Sequence, residues 1–233
     1  MIDFSILFED GEALVIDKPA GLPLDQPRAG GPSLEDHVDA LRFGFQREPV
    51  PVHRLDRDTS GCLLLARNPK ALKRFSAAFE ARQVGKVYLG IVAGDVEGEA
   101  GTIELALSKI SSAEKGWRMI PAKKGKPAVT HWKVMTRLAT LEGQPLTLVE
   151  FRPETGRTHQ IRIHALAGLG KALLGDPVYG DGKGAARTML HASALTIARE
   201  GKEPIEAFSP LPLDFSALGF SDAAEAASED QVD

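Results

Sequence analysis

A mixed α/β (α+β) fold built on a largely antiparallel sheet is predicted by three features of this 233-residue sequence. Apolar and polar residues alternate over KVYLGIVA (86–93), AVTHWKVMTRLAT (128–140) and PLTLVEFRP (145–153), the period of β-strands. The last two are joined through Glu142-Gly143-Gln144-Pro145, a hairpin-length connection too short for a parallel crossover. Helical signals are confined to a few short stretches. With 43% hydrophobic residues the chain can bury a substantial core, and no repeat, coiled coil or low-complexity segment interrupts it.

In chain order, SILFEDGEALVID (5–17) reads as two short strands around a Glu9-Asp10-Gly11 turn. Residues 22–32 hold three prolines and two glycines and form a loop. Ser33 is an N-cap with Asp36 in the third helical position, and Leu34, Val38 and Leu41 share one face of a helix ending by Gly44. CLLLA (62–66) is a strand. Asn68 caps a helix from Pro69 to Arg82, with Leu72, Phe75 and Phe79 on its core face and Lys70, Lys73, Arg74 and Arg82 on a solvated one. Residues 95–125 form short antiparallel strands at one edge, around TIELALS and GWRMIPA. Thr158 caps a further helix with Ile161, Ala165 and Leu166 on its apolar side. GKALLGDPVYG (170–180) is a loop with a short ordered element, MLHASALTI (189–197) a last strand or helix, and FSPLPLDF (208–215) an ordered closure. Residues 221–233 are rich in Ala, Glu and Asp and read as an acidic, mobile tail.

Composition narrows the function classes. The single cysteine, Cys62, rules out a disulfide framework and a cysteine-based zinc site. The N-terminus is acidic where a signal peptide is basic, and no apolar run approaches the ~20 residues of a membrane span. A cytoplasmic protein is expected, with no membrane partner. The net charge of −4 is unevenly spread: residues 53–124 hold 13 Lys and Arg against 8 Asp and Glu, whereas everything after residue 202 lacks Lys and Arg. A basic middle is weak support for a nucleic-acid partner.

Two charge-dense islands stand out. HRLDRDTSG (53–61) places His53, Arg54, Asp56, Arg57 and Asp58 between apolar runs, and loops held by strands are where reachable polar groups are usually placed. Asp56 is the candidate reactive carboxylate; the same residues also read as a salt-bridged surface turn. PETGRTHQIRIH (153–164) supplies Arg157 and Arg162, both able to reach a common cleft. A guanidinium beside a carboxylate favours its ionised form, so an Asp56–Arg162 pair would keep Asp56 charged. Tyr88, on the strand 86–93, is expected to be buried, most often as a core residue. His159 and His164 are five apart, not the i, i+4 helical pair, and read as core or partner-facing histidines rather than metal ligands. Trp117, Trp132 and Phe75 read as core residues.

The chain resembles the RluA-type pseudouridine synthases. The resemblance rests on DKPAGLP (17–23), HRLDRDTSG (53–61), KVYLGIV (86–92), GRTHQIRIH (156–164), GDPVYG (175–180) and LHA (190–192), in the family's order, and spans about residues 5–215. It implies a long, curved, mainly antiparallel sheet flanked by helices with an active cleft across its middle. Many family members start with a small separate RNA-binding module; here the catalytic pattern starts within about the first ten residues, so one catalytic domain over 1–220 is expected without that module. The implied activity is isomerisation of specific uridines in structured RNA, tRNA or rRNA, to pseudouridine after base flipping. By position in the motifs, Asp56 matches the essential aspartate, Tyr88 the tyrosine packed on the target base, and Arg162 the arginine paired with the aspartate. Arg54 matches the residue that fills the space left by the flipped nucleotide, and Leu190 an apolar wall of the pocket. His53 is expected to help shape the loop and Arg57 to contact phosphate. Asp25 stands where a histidine is common in the family, and no catalytic role attaches to the DKPAG loop.

The residue types suit that chemistry independently. Breaking a glycosidic bond develops positive character at C1′, which a carboxylate can capture or stabilise, and no redox step, metal or cofactor is required. Two rivals are an RNA-binding protein with a degenerate site and a glycosidase using Asp56 and Asp58 as paired carboxylates. A monomer is expected, because no interface pattern stands out.

Overall fold

The computed structural model describes residues 2–112, 116–139 and 143–221. In chain order these form β1 (Ile6–Glu9), β2 (Ala13–Lys18), β3 (Val50–Pro51), β4 (Ser60–Ala66), α1 (Pro69–Glu80) and β5 (Val84–Ala93). There follow β6 (Ala100–Glu104), β7 (Leu107–Ser112), β8 (Gly116–Pro121), β9 (Val129–Ala139), β10 (Pro145–Pro153), α2 (Gln160–Leu169), β11 (Leu190–Ile197), β12 (Ile205–Phe208) and α3 (Leu213–Ser216). The fold is mixed α/β with a large, mostly antiparallel sheet and few helices, as the alternation predicts. Of the acidic tail expected over 221–233, residues 222–233 lie outside those described.

Two compact units share the chain. The first, residues 1–88 and 192–209, orders its strands β1-β2-β4-β11-β5, with β3 on β4 and β12 on β11. Its centre is β4, buried along its whole length, so CLLLA reads as an unbroken apolar run rather than an alternating one. Successive side chains point to opposite faces. Cys62, Leu64 and Ala66 meet Phe75 of α1, while Leu63 and Leu65 meet Leu34, Leu41 and Leu55. Asn68 caps α1 by accepting the N–H of Ala71 at 2.9 Å, with Pro69 in the first turn. Phe75 is buried against the first cluster, with Leu72 and Phe79 beside it.

The expected helix after Ser33 is instead two 3-10 turns, Leu34–His37 and Ala40–Arg42. The Ser33–Asp36 capping box forms, and Phe43 (φ 44°) and Gly44 (φ 85°) end the stretch where the sequence places its end, but the turns between close with i→i+3 bonds, Asp36 N to Ser33 O and Leu41 N to Val38 O. Gly61 is required by close packing: at φ 105°, any Cβ would run into the backbone carbonyl of Ala192 at the start of β11.

The second unit, residues 89–191 and 210–233, orders its strands β5-β10-β9-β6 and carries the separate β7–β8 hairpin. Thus TIELALS spans two strands, of which only the first joins the large sheet. A core of Ile91, Leu146, Leu148, Met189, Phe215 and Phe220 shows that the 208–215 stretch does close this unit. The expected cap at Thr158 is replaced by His159, held at φ 52° without a side-chain cap. Gln160 supplies the missing fixation: its Oε1 accepts from Thr155 Oγ1 and Arg157 N, and its Nε2 donates to Val129 O and Thr130 Oγ1. Residues Gln160–Ala165 are buried on every side, whereas Leu166, expected in the core, is exposed.

Candidate active site

In the first unit the 53–59 loop is nailed down at both ends and its middle. At its start the His53 ring stacks on Phe79, centroids 4.8 Å apart, and its Nε2 accepts the Leu64 N–H at 3.0 Å. His53 is therefore neutral: burial, followed by the Lys86 charge, lowers its pKa from 6.5 to about 3. Its ring thereby holds the start of the loop against α1 and β4. Leu55 plugs the cluster of Leu14, Ile16 and Leu63, leaving Arg54 exposed and Asp56 half-buried. The Asp56 carbonyl accepts the Thr59 N–H, closing the turn that leads into β4.

The fixing group in the middle is one that sequence reasoning missed. Lys18 is fully buried, and its Nζ donates to Pro19 O and Leu22 O at 2.8 Å and to Arg57 O at 3.1 Å. The Gly21 N–H also donates to Arg57 O, and Arg57 Nε donates back to Gly21 O. The DKPAG loop is thus a clamp on the residue that follows Asp56. A buried ammonium is costly unless every proton finds an acceptor, so three carbonyls are what such a lysine needs. The only hint in the sequence was a lysine closing an apolar strand before Pro-Ala-Gly.

Tyr88 is half-buried rather than in the core as expected, packed beside Leu55 and Leu63. Burial and then the Asp56 charge push its hydroxyl well above the ordinary tyrosine range, so it stays protonated and donates rather than acts as a base. Asp56 and Tyr88 are therefore within each other's electrostatic reach. Arg57 is exposed, its Nε 3.9 Å from Asp58, at the loose limit of an ion pair.

In the second unit Arg162 is buried, with its Nε and Nη2 on the two oxygens of Asp176 at 2.7 and 2.8 Å. Asp176 Oδ1 also accepts the N–H groups of Val178 and Tyr179. Burial alone would raise the Asp176 pKa; the Arg162 hydrogen bonds and charge, with the Tyr179 and Val178 N–H groups, outweigh it and hold the carboxyl low. The Tyr179 ring lies 5.3 Å from the guanidinium carbon, so plane and direction of Arg162 are both set. Asp176 and Tyr179 sit in GDPVYG, read from sequence only as a loop. Arg157 is half-buried, its Nε on Pro127 O. Leu190 is buried, and its carbonyl accepts from Arg187 Nη1.

His164 is a satisfied core histidine, with Thr130 Oγ1 on Nδ1 and Leu105 O near Nε2. No cluster of three His, Cys, Asp or Glu placed to hold a metal ion occurs among the described residues. Trp117, expected in the core, is 45% exposed.

His53 makes stability pH-dependent. Between pH 6.5 and about 3 the unfolded chain takes up a proton that native His53 refuses, so stability present above pH 6.5 falls as the pH is lowered. One such group contributes a slope of at most about 1.4 kcal/mol per pH unit. Urea unfolding of wild type and His53→Gln at about pH 7, 5.5 and 4.5 measures it, and equal slopes would remove His53 as the source.

Residues 12–167 match the profile of the RNA pseudouridylate synthase family. The chain is 55% identical over 217 residues to an uncharacterized RNA pseudouridine synthase of Zymomonas mobilis, covering 92% of this chain and 97% of that one. It is 37% identical to ribosomal large subunit pseudouridine synthase D of Xanthomonas campestris, over 93% of this chain and 69% of that protein. Among solved structures, human RNA pseudouridylate synthase domain containing 1 superposes with a TM-score of 0.77 at 27% identity, over 99% of this chain and 96% of that one. A fixed loop carrying Asp56, a protonated tyrosine in its field and a buried, oriented arginine thus stand on a fold and sequence held in common with these enzymes, and the chain belongs to the RluA-type RNA pseudouridine synthases.

Proposed function

We propose that this isomerase converts specific uridines of structured ribosomal RNA to pseudouridine, with Asp56 as the essential carboxylate and the target nucleotide flipped out of its stack. The observation that carries the reading is the placement of Asp56 on a loop whose next residue is clamped by buried Lys18, with protonated Tyr88 in its field. Ribosomal RNA is favoured over tRNA by the named activity of the Xanthomonas relative.

In this reading the N1–C1′ bond breaks, uracil rotates, and a C5–C1′ bond forms; the C5 proton leaves to solvent and N1 gains one. Asp56 stabilises or captures positive character at C1′. Tyr88 holds the flat base and donates from its retained hydroxyl proton. Arg162, oriented by Asp176, is the arginine that the family resemblance assigns to the catalytic site. Arg54 fills the vacated position in the RNA, Leu190 walls the base, and Arg57 and Arg157 meet phosphate. Extruding the base costs a few kcal/mol, which loops and defects reduce, so a stem-loop uridine is the expected target. No metal or cofactor takes part, and the enzyme works as a cytoplasmic monomer.

The test is tritium release from RNA labelled at C5 of uridine, made in a strain lacking this gene and separated into ribosomal and transfer fractions. Release from the ribosomal fraction, with pseudouridine in the digest, is the expected result. Release only from tRNA would overturn the substrate assignment, and free uracil would replace the isomerase with a glycosidase.

A further inference from the structure

We propose that the β7–β8 hairpin and the turn after it form a second, single-stranded RNA subsite, with one unpaired nucleobase stacked on Trp117 and the neighbouring phosphates held by surrounding lysines. The inference rests on the enzyme's RNA substrate, and it assigns β7, β8 and residues 122–127 a binding role apart from the catalytic residues.

Residues 107–127 contain six Lys and Arg and one acidic residue, in a chain whose net charge is −4. Lys109, Lys123, Lys124 and Lys126 are exposed. Among them Trp117 leaves 45% of its surface open. Cations interleaved with an open aromatic ring are the composition of a sequence-tolerant nucleic-acid platform, in which rings take bases and cations take phosphates.

The ring is also held in place. Trp117 packs on His159 with centroids 4.8 Å apart and a 32° tilt. His159 keeps a left-handed backbone, uncommon without glycine, and its Nδ1 is bonded to the Tyr179 hydroxyl at 3.1 Å. The same hydroxyl accepts the Met119 N–H of β8 at 3.0 Å. The hairpin is thus fastened to the loop carrying Asp176, and Trp117 is a preorganised surface rather than a floating loop tip. Lys109 Nζ lies 4.8 Å from the Trp117 centroid, a weak exposed cation–π contact. An incoming base displaces this ammonium onto the adjacent phosphate, so the exchange retains a charge partner. A duplex does not fit this chemistry, because its bases are already stacked; a loop or single-stranded flank does.

Tryptophan emission reads the subsite directly, since the chain has two tryptophans and Trp132→Phe leaves only Trp117. Saturable quenching by a dodecameric oligouridylate and none by an abasic ribose-phosphate of equal length is the expected result. Trp117→Ala should raise KM for cellular RNA in tritium release roughly 5- to 100-fold, the range for one lost base–aromatic stack, and Trp117→Phe should restore most of it. Replacing Lys123, Lys124 and Lys126 with Gln should flatten the dependence of log affinity on log salt by about 2. Absence of quenching, equal quenching by the abasic strand, or an unchanged KM for Trp117→Ala would overturn the proposal. If the wild-type protein released no tritium from any RNA, the isomerase reading would fail while the quenching experiment still decided the subsite.

Discussion

Asp56→Asn is expected to lower tritium release by at least about 10³-fold while leaving RNA binding and the folded structure in place. The substitution conserves shape and removes only the charge. The loop does not depend on that charge for its path: Leu55 anchors it in the core, the Asp56 backbone carbonyl holds Thr59, and Lys18 grips the Arg57 carbonyl. An amide cannot supply the negative charge that positive character at C1′ demands. Release within tenfold of wild type, measured on a variant with an unchanged melting curve, would remove Asp56 from the chemistry. The Tyr88 hydroxyl provides an internal check, because a phenol held above its ordinary range stays protonated at neutral pH and should add no basic limb to the rate profile there.

Asp176→Ala is expected to destabilise the protein by about 3–5 kcal/mol, because it takes a bidentate carboxylate away from a buried guanidinium. The side chains of the pair are only 8% and 0% exposed. Asp176→Asn keeps an acceptor but loses the charge and should fall between the two. Joint replacement by Arg162→Met and Asp176→Leu should regain much of the stability without regaining activity, since an apolar pair of similar size avoids the desolvation cost. Urea titration of the three variants checks the order, and a loss of less than about 1 kcal/mol for Asp176→Ala would show that Arg162 has other adequate partners. The pair also responds to acid. Asp176 is held below its usual value of 3.8, so its contribution is complete above that pH and disappears as the pH falls through the lower native value.

Much of this was legible along the chain. The antiparallel strands β9 and β10, the α1 helix with its Asn68 cap, and the loop role of His53 all follow from local spacing and local chemistry, because a strand's period and a helix cap are set by adjacent residues. The helix expected after Ser33 is two 3-10 turns instead: its capping box and its stop at Phe43–Gly44 form where local signals place them, but the turns between close with i→i+3 bonds. Trp117 and Leu166 were misplaced for a different reason: apolarity predicts burial on average, but whether a neighbour arrives is decided by chain segments far away.

By itself, then, the sequence determined the fold class, the family, the charge-dense loop around Asp56 and the place of Arg162 in a motif of its own. Only the tertiary structure decided which groups hold those residues still. Lys18 meets Arg57 across 39 positions, and Arg162 meets Asp176 from a loop with no charge pattern to announce it. Such contacts carry no period or spacing, because burial of a charge is compensated by whichever acceptors the folded chain brings to it.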